Sequence, residues 1–181
     1  LKMLYNNPMI KIKTIRYLFE AILGLKLLIL TKILGLELST KTFSWFFSFI
    51  GPKLKISNQA KENLHIAFPD IRDSEIESII FKMWKNIGMV AAEFFHLKTI
   101  SEEKNGRIKV LGEEHIKEYK NSGVIFVSGH FANWEIIPLI IRNYRDKVGG
   151  IYRHSNNFFV NKWVVKQRYK NTTPIQIRKG S

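Results

Sequence analysis

No cysteine occurs among the 181 residues. Its absence excludes a disulfide scaffold, a thiol nucleophile and a cysteine-based zinc site, and it fits a reducing compartment. Acidic residues are scarce at both ends. Residues 147–181 hold eight Lys or Arg and no acid, and residues 1–62 hold ten against three, whereas residues 63–146 hold eleven against twelve. The formal charge of +14 therefore sits at the two ends. A solvated basic surface accounts for it, and so does an anionic partner: a membrane, a phosphorylated substrate, an acidic protein or a nucleic acid. No RNP-like motif, zinc-finger spacing or glycine-rich basic arm is present, so nucleic acid is set aside. No run of 18 uninterrupted apolar residues occurs, which makes a transmembrane span marginal. No small-residue cleavage site follows the first apolar stretch, and no Gly-x-Ser-x-Gly elbow is present. These absences argue against a secretory signal peptide and a serine hydrolase.

What is present suffices for one domain with a core: 45% of residues are hydrophobic and 13% aromatic. Ile15 to Leu38 is strongly apolar, interrupted by Glu20, Lys26 and Lys32 and preceded by Lys11, Lys13 and Arg16. It reads either as a buried core helix or as a helix in or on a membrane. The second reading is preferred, because the aromatic cluster Phe43 to Ile50 follows, with Lys41, Lys53 and Lys55 around it. Aromatics beside lysines suit a bilayer interface. Residues 1–56 are thus expected to be a membrane-associated helical segment, and residues 57–181 the start of an α/β domain.

In that second part, Lys61 to Phe68 predicts a short helix stopped by Pro69. A long helix follows from Ser74, with Glu77 at capping-box spacing and an apolar period from Ile76 to Phe95. Glu93 interrupts that apolar pattern as a rim residue, an internal pairing partner or, less simply, a site residue. Ile100 to Gly106 reads as loop, Arg107 to Leu111 as a weak strand and Glu113 to Tyr119 as a short helix. Val124 to Val127 is an apolar, β-branched run expected to form a buried strand. A helix from Phe131 to Asn143, kinked at Pro138, and a strand from Val148 to Arg153 would complete a right-handed β-α-β unit. Phe158 to Lys170 reads as an amphipathic helix, and Ile175 to Arg178 as the first half of another strand.

His130 lies where the first of these strands turns into its helix, and Glu135 lies five residues on. Five residues on a regular helix separate side chains by about 140°. The two can meet only if His130 precedes the helix and folds back, which Gly129 would permit. A carboxylate on one imidazole nitrogen fixes the tautomer and leaves the other nitrogen as a base. The helix N-terminus would lower the histidine's pKa and Glu135 would raise it. A base poised near neutrality suits proton abstraction from a hydroxyl. A purely structural histidine remains the alternative, and Asn133 most simply caps or bonds within the turn.

Gly129-His-Phe-Ala-Asn-Trp-Glu135 resembles the His-x4-Glu motif of the lipid A late acyltransferases, within the wider His-x4-Asp/Glu acyltransferases that also act on glycerol phosphate. Asn63-Leu-His-Ile-Ala-Phe-Pro69 resembles the family's Asn-Leu…Phe-Pro segment, and Gly88 to Glu93 its Gly…Glu helix. Ile151-Tyr-Arg153, Asn157 and Arg168 resemble its Tyr-Arg…Asn…Arg stretch. The resemblance implies an α/β fold, a partly parallel sheet flanked by helices, with an N-terminal membrane helix. It implies transfer of a fatty acyl chain from acyl carrier protein to a hydroxyl of a phosphorylated, Kdo-bearing lipid A precursor. That reaction takes place at the cytoplasmic face of the bacterial inner membrane. By resemblance, His130 is the base and Glu135 orients it, while Arg153, Arg168 and Asn133 contact substrate. No metal or bound cofactor is implied.

Members of the family are considerably longer, continuing with Gly…Asp-Gln and Phe-x-Gly segments, and this chain begins with Leu1. A truncated form is therefore expected, with part of the sheet and of the acceptor pocket missing and a sheet edge exposed. Two other functions stay open: an acyltransferase on a simpler phospholipid, and an inactive membrane-associated remnant.

Overall fold

The computed structural model describes residues 8–102, 107–119 and 121–180, with side chains described from Ile12 onward. The sequence reading of Lys11, of residues 103–106 and of Ser181 lies wholly or partly outside that range. The chain is mostly helical, with one small parallel sheet. In order it forms α1 (Pro8–Ile50), a 3₁₀ turn (Gly51–Lys53), α2 (Lys55–Ala67), α3 (Asp73–Phe94), α4 (Leu97–Glu102), α5 (Glu113–Glu118), α6 (Ile136–Ile141), β1 (Gly149–Tyr152), α7 (Phe158–Asn171) and β2 (Ile175–Arg178). It divides into two compact units. One comprises Thr31–His96 and His130–Asn133; the other comprises Leu97–Gly129, Trp134–Ser181 and the chain up to Leu30.

The 31–96 unit is built on α3. Its core is Ile76, Ile80 and Trp84, packed by Phe47, Leu64, Ile71, Met83 and Ile87. At Gly88 α3 packs close against α1: a Cβ there would lie 2.4 Å from the Phe43 carbonyl oxygen. Gly51 is equally constrained, since its Cβ would fall 2.0 Å from the Trp84 ring. The Trp84 indole N–H donates to Ser57 Oγ at 2.8 Å, and that hydroxyl donates to the Gly51 carbonyl at 2.7 Å. A buried indole N–H thus has its partner. Helix α3 starts earlier than the spacing of Ser74 and Glu77 suggests. Arg72 is its N-cap, and Glu75 reaches back to the Arg72 backbone N–H at 3.3 Å. Glu77 instead pairs with Lys61.

Helix α1 is broken at Gly35, whose φ of 70° and ψ of 176° lie outside the helical region. No described helix is long and apolar enough to cross a membrane. The expected N-terminal membrane helix is therefore not found as a span. Glu20, Lys26, Lys32 and Glu37 recur too closely to leave an uninterrupted apolar stretch.

The other unit holds the sheet. Strands β1 and β2 pair in parallel, Gly149 opposite Ile175 and Tyr152 opposite Arg178, with α7 between them in sequence. The β-α-β unit lies one element later than the sequence suggests. Gly123 to His130 has no regular structure, and no described strand pairs with Val124–Val127. That run is exposed rather than buried, Ile125 at 90% and Val127 at 91%. Without a neighbouring strand its backbone has no ladder to join. Arg107–Leu111 is likewise not a strand, and Ile100–Glu102 belongs to α4. The helix expected from Phe131 is confined to α6, so Pro138 falls in its first turn, where a missing N–H costs nothing and no kink is needed. Helix α7 has no continuous apolar stripe, and its buried residue is Asn161. Asn157 caps it: Oδ1 accepts from the backbone N–H of Phe159 and Val160, and Nδ2 donates to the Tyr17 carbonyl and Glu20.

Candidate active site

Glu135 stands at the N-cap of α6 and is buried, 5% exposed. A carboxylate taken out of water alone would cost several kcal/mol. Arg168, in the last turn of α7, compensates it with a two-point grip: Nε donates to Oε2 at 3.1 Å and Nη2 donates to Oε1. The planar guanidinium fork matches the carboxylate on both oxygens. Two residues expected to act separately, one on the histidine and one on substrate, are thus brought together.

Asn133 is buried too. Its Nδ2 donates to Glu93 Oε2 at 2.7 Å. Glu93 lies in the last turn of α3 and is half-buried. Of the sequence readings of this acid, the geometry fits the internal pairing partner. Between His130 and Asn133 the chain passes through Ala132 at a φ of 45°. An L-residue in this left-handed region costs roughly 1–2 kcal/mol relative to ordinary backbone. Nothing in the sequence marks that strain, because alanine carries no turn signal. His130 itself is exposed and precedes α6 by six residues, so it lies outside the helix.

Arg153 is exposed in the loop immediately after β1. The carboxyl ends of parallel strands are where α/β folds receive ligands. Its neighbour His154 donates Nδ1–H to the Ser155 carbonyl at 2.8 Å, and the Ser155 backbone N–H donates to Asn161 Oδ1 at 2.9 Å.

The family model described as bacterial lipid A biosynthesis acyltransferase matches residues 9–180. The chain belongs to that family. A lipid A biosynthesis acyltransferase of Haemophilus influenzae is 28% identical over 116 residues. The match covers 64% of this chain and 37% of the relative, so the chain spans little more than a third of that protein's length. No solved structure matches the chain. The lipid A acyltransferase family model thus covers both units, including α3, the His130–Glu135 segment and α7.

One residue that sequence reasoning passed over is His96, just past α3. It is buried, and its Nε2–H donates to the Thr31 carbonyl at 3.1 Å. Burial pushes its pKa down, the Lys32 charge adds to this, and the hydrogen bond to Thr31 opposes both. Lys32 in turn donates to the Phe95 carbonyl at 2.9 Å, where a cation suits the negative end of α3.

The second half of α1 sorts its side chains against the usual rule. Ser39, Ser44, Ser48 and Phe43 are buried, whereas Leu38, Trp45, Phe46, Phe49 and Ile50 are exposed. Trp45 stacks on Phe49 with centroids 6.2 Å apart, and Lys53 Nζ lies 4.0 Å from the Phe49 centroid. The three serines are buried and Trp45, Phe46 and Phe49 face outward, while Phe43 and Phe47 pack inward.

Proposed function

We propose that this chain transfers a fatty acyl group from acyl carrier protein to a hydroxyl of a phosphorylated, Kdo-bearing lipid A precursor, with His130 as general base. The family match over residues 9–180 carries the reading. The imidazole takes the proton of the acceptor hydroxyl as its oxygen attacks the thioester carbonyl. The C–S bond then breaks, and the carrier's thiolate leaves and receives the proton from the imidazolium. Glu135 orients His130, and its burial against Arg168 supports a fixed carboxylate there. Arg153 holds a phosphate of the acceptor; its exposure at the carboxyl end of β1 favours this role over Arg168, whose fork is committed to Glu135.

The reaction belongs at the cytoplasmic face of the inner membrane. In place of a span, the outward aromatics of α1 supply the contact, lying in the interface beside Lys41, Lys53 and Lys55. The basic ends of the chain suit an acidic carrier protein and an anionic lipid.

The test is acyl transfer from loaded acyl carrier protein to the lipid A precursor in mixed micelles. The chain turns over, and His130→Ala lowers kcat by roughly 10²–10⁴-fold, the usual weight of a general base. An inert wild-type chain, or a fully active His130→Ala, overturns the reading. Preferential acylation of a simple lysophospholipid in the same assay would assign the other acceptor class.

A further inference from the structure

We infer that Glu93 is a positioning residue for His130, acting through Asn133; the inference rests on the acyl-transfer reading for its kinetic arm only. Glu93 is an unfavourable acceptor for stability alone. It places an acid in the last turn of α3, at the negative end of the helix, half-buried in an otherwise apolar pattern. The Asn133 amide that donates to it is neutral, so the charge is not cancelled by that bond.

What the bond fixes is the turn. Asn133 is buried, with its Nδ2 2.7 Å from Glu93 Oε2, and Ala132 before it is held at a φ of 45°. Strained backbone persists only where its surroundings over-determine it. Loss of the Glu93 anchor removes one restraint on Ala132 and lets it move toward the ordinary helical or extended regions. A dihedral change there swings His130, two residues earlier. The four residues His130–Asn133 also cluster with the α3 unit rather than with the chain on either side of them. The anchor therefore sets the position of the base, and no contact of Glu93 with substrate is required.

The test separates positioning from mere stability. Glu93→Leu is expected to lower kcat by roughly 10- to 100-fold with KM little changed, the scale of a misplaced catalytic group. Glu93→Gln keeps a side-chain oxygen to accept from Asn133 and is expected to restore most of kcat. The double variant Glu93→Leu/Asn133→Ala removes both partners, so its thermal midpoint returns toward that of the wild type. Its kcat is expected to stay low. Recovery of kcat together with stability in the double variant overturns the inference. An arm independent of turnover records the His130 imidazole nitrogen resonances, assigned by their loss in His130→Gln. They are expected to shift in Glu93→Leu and in the double variant but not in Glu93→Gln. Unchanged resonances in all three overturn the inference. An inert wild-type chain overturns the proposed reaction instead, and the resonances then decide the role of Glu93.

Discussion

Arg168 grips Glu135 on both carboxylate oxygens, across 33 residues of chain. Removing one partner of such a pair leaves a buried charge without compensation. Arg168→Gln is expected to destabilise the fold by about 3 kcal/mol, read as a lower urea midpoint with an unchanged slope. Adding Glu135→Gln should recover most of the loss. A full-sized loss in the double variant would mean that the guanidinium acts through other contacts.

Gly88 allows two helix backbones to touch. Gly88→Ala puts a methyl 2.4 Å from the Phe43 carbonyl oxygen, and neither backbone can yield without moving a helix. Overpacking of this kind costs about 1–3 kcal/mol. A lowered melting temperature in calorimetry checks it, and an unchanged one would place the helices further apart.

The hydrogen-bonded chain from Trp84 through Ser57 to Gly51 gives a polar counterpart. Ser57→Ala strands the buried indole N–H, while the Gly51 carbonyl keeps its bond from the Leu54 N–H. A loss of about 1–3 kcal/mol is expected on denaturant unfolding. Trp84→Phe in the Ser57→Ala background should cost less than in the wild type, because the N–H has already lost its partner.

His96 confers a pH dependence whose sign follows from its lowered pKa. Above pH 6.5, the ordinary imidazole value, folded and unfolded states are both neutral and the contribution is complete. As pH falls below 6.5 the unfolded chain takes up the proton first. Stability therefore declines until the lower folded pKa is passed. Urea midpoints from pH 7.5 to 5 should decline less steeply in His96→Gln than in the wild type. Parallel profiles would assign the acid sensitivity elsewhere.

The outward face of α1 should bind vesicles. Co-sedimentation with anionic phospholipid vesicles is expected to fall at least tenfold in Trp45→Ser/Phe49→Ser, and binding should weaken as salt is raised. Equal binding by the double variant would move the contact to another surface.

Helices with a sustained apolar period were legible in the sequence. The α3 pattern from Ile76 to Phe95 identified its core residues, because a helix's partners lie on one stripe set by its own geometry. The strand readings fared less well. Ile175–Arg178 and Val148–Arg153 pair with each other, but Val124–Val127, the best-patterned run, has no described partner. An apolar run states a preference for burial and cannot name the strand beside it. At the candidate site, the spacing required His130 to lie outside the helix if it is to meet Glu135, and it does lie outside α6. The partners of Glu135 and Asn133 did not, because they come from 33 and 40 residues away. The left-handed Ala132 had no sequence signature. The aromatic cluster of α1 was read as membrane-facing beside its lysines; Trp45, Phe46 and Phe49 are exposed, whereas Phe43 is buried and Phe47 packs on the core.

Asn157 uses all four of its side-chain hydrogen-bonding positions, accepting from Phe159 and Val160 and donating to Tyr17 and Glu20. Aspartate has the same shape and is a single nucleotide change away in either asparagine codon. It would still cap α7, yet its second oxygen would face the Tyr17 carbonyl and the Glu20 carboxylate, three acceptors with no hydrogen among them. By volume and by similarity tables this is among the mildest replacements available to the chain. By the arithmetic of donors and acceptors it is one of the harshest, and a mutational scan should find position 157 closed to its nearest chemical neighbour.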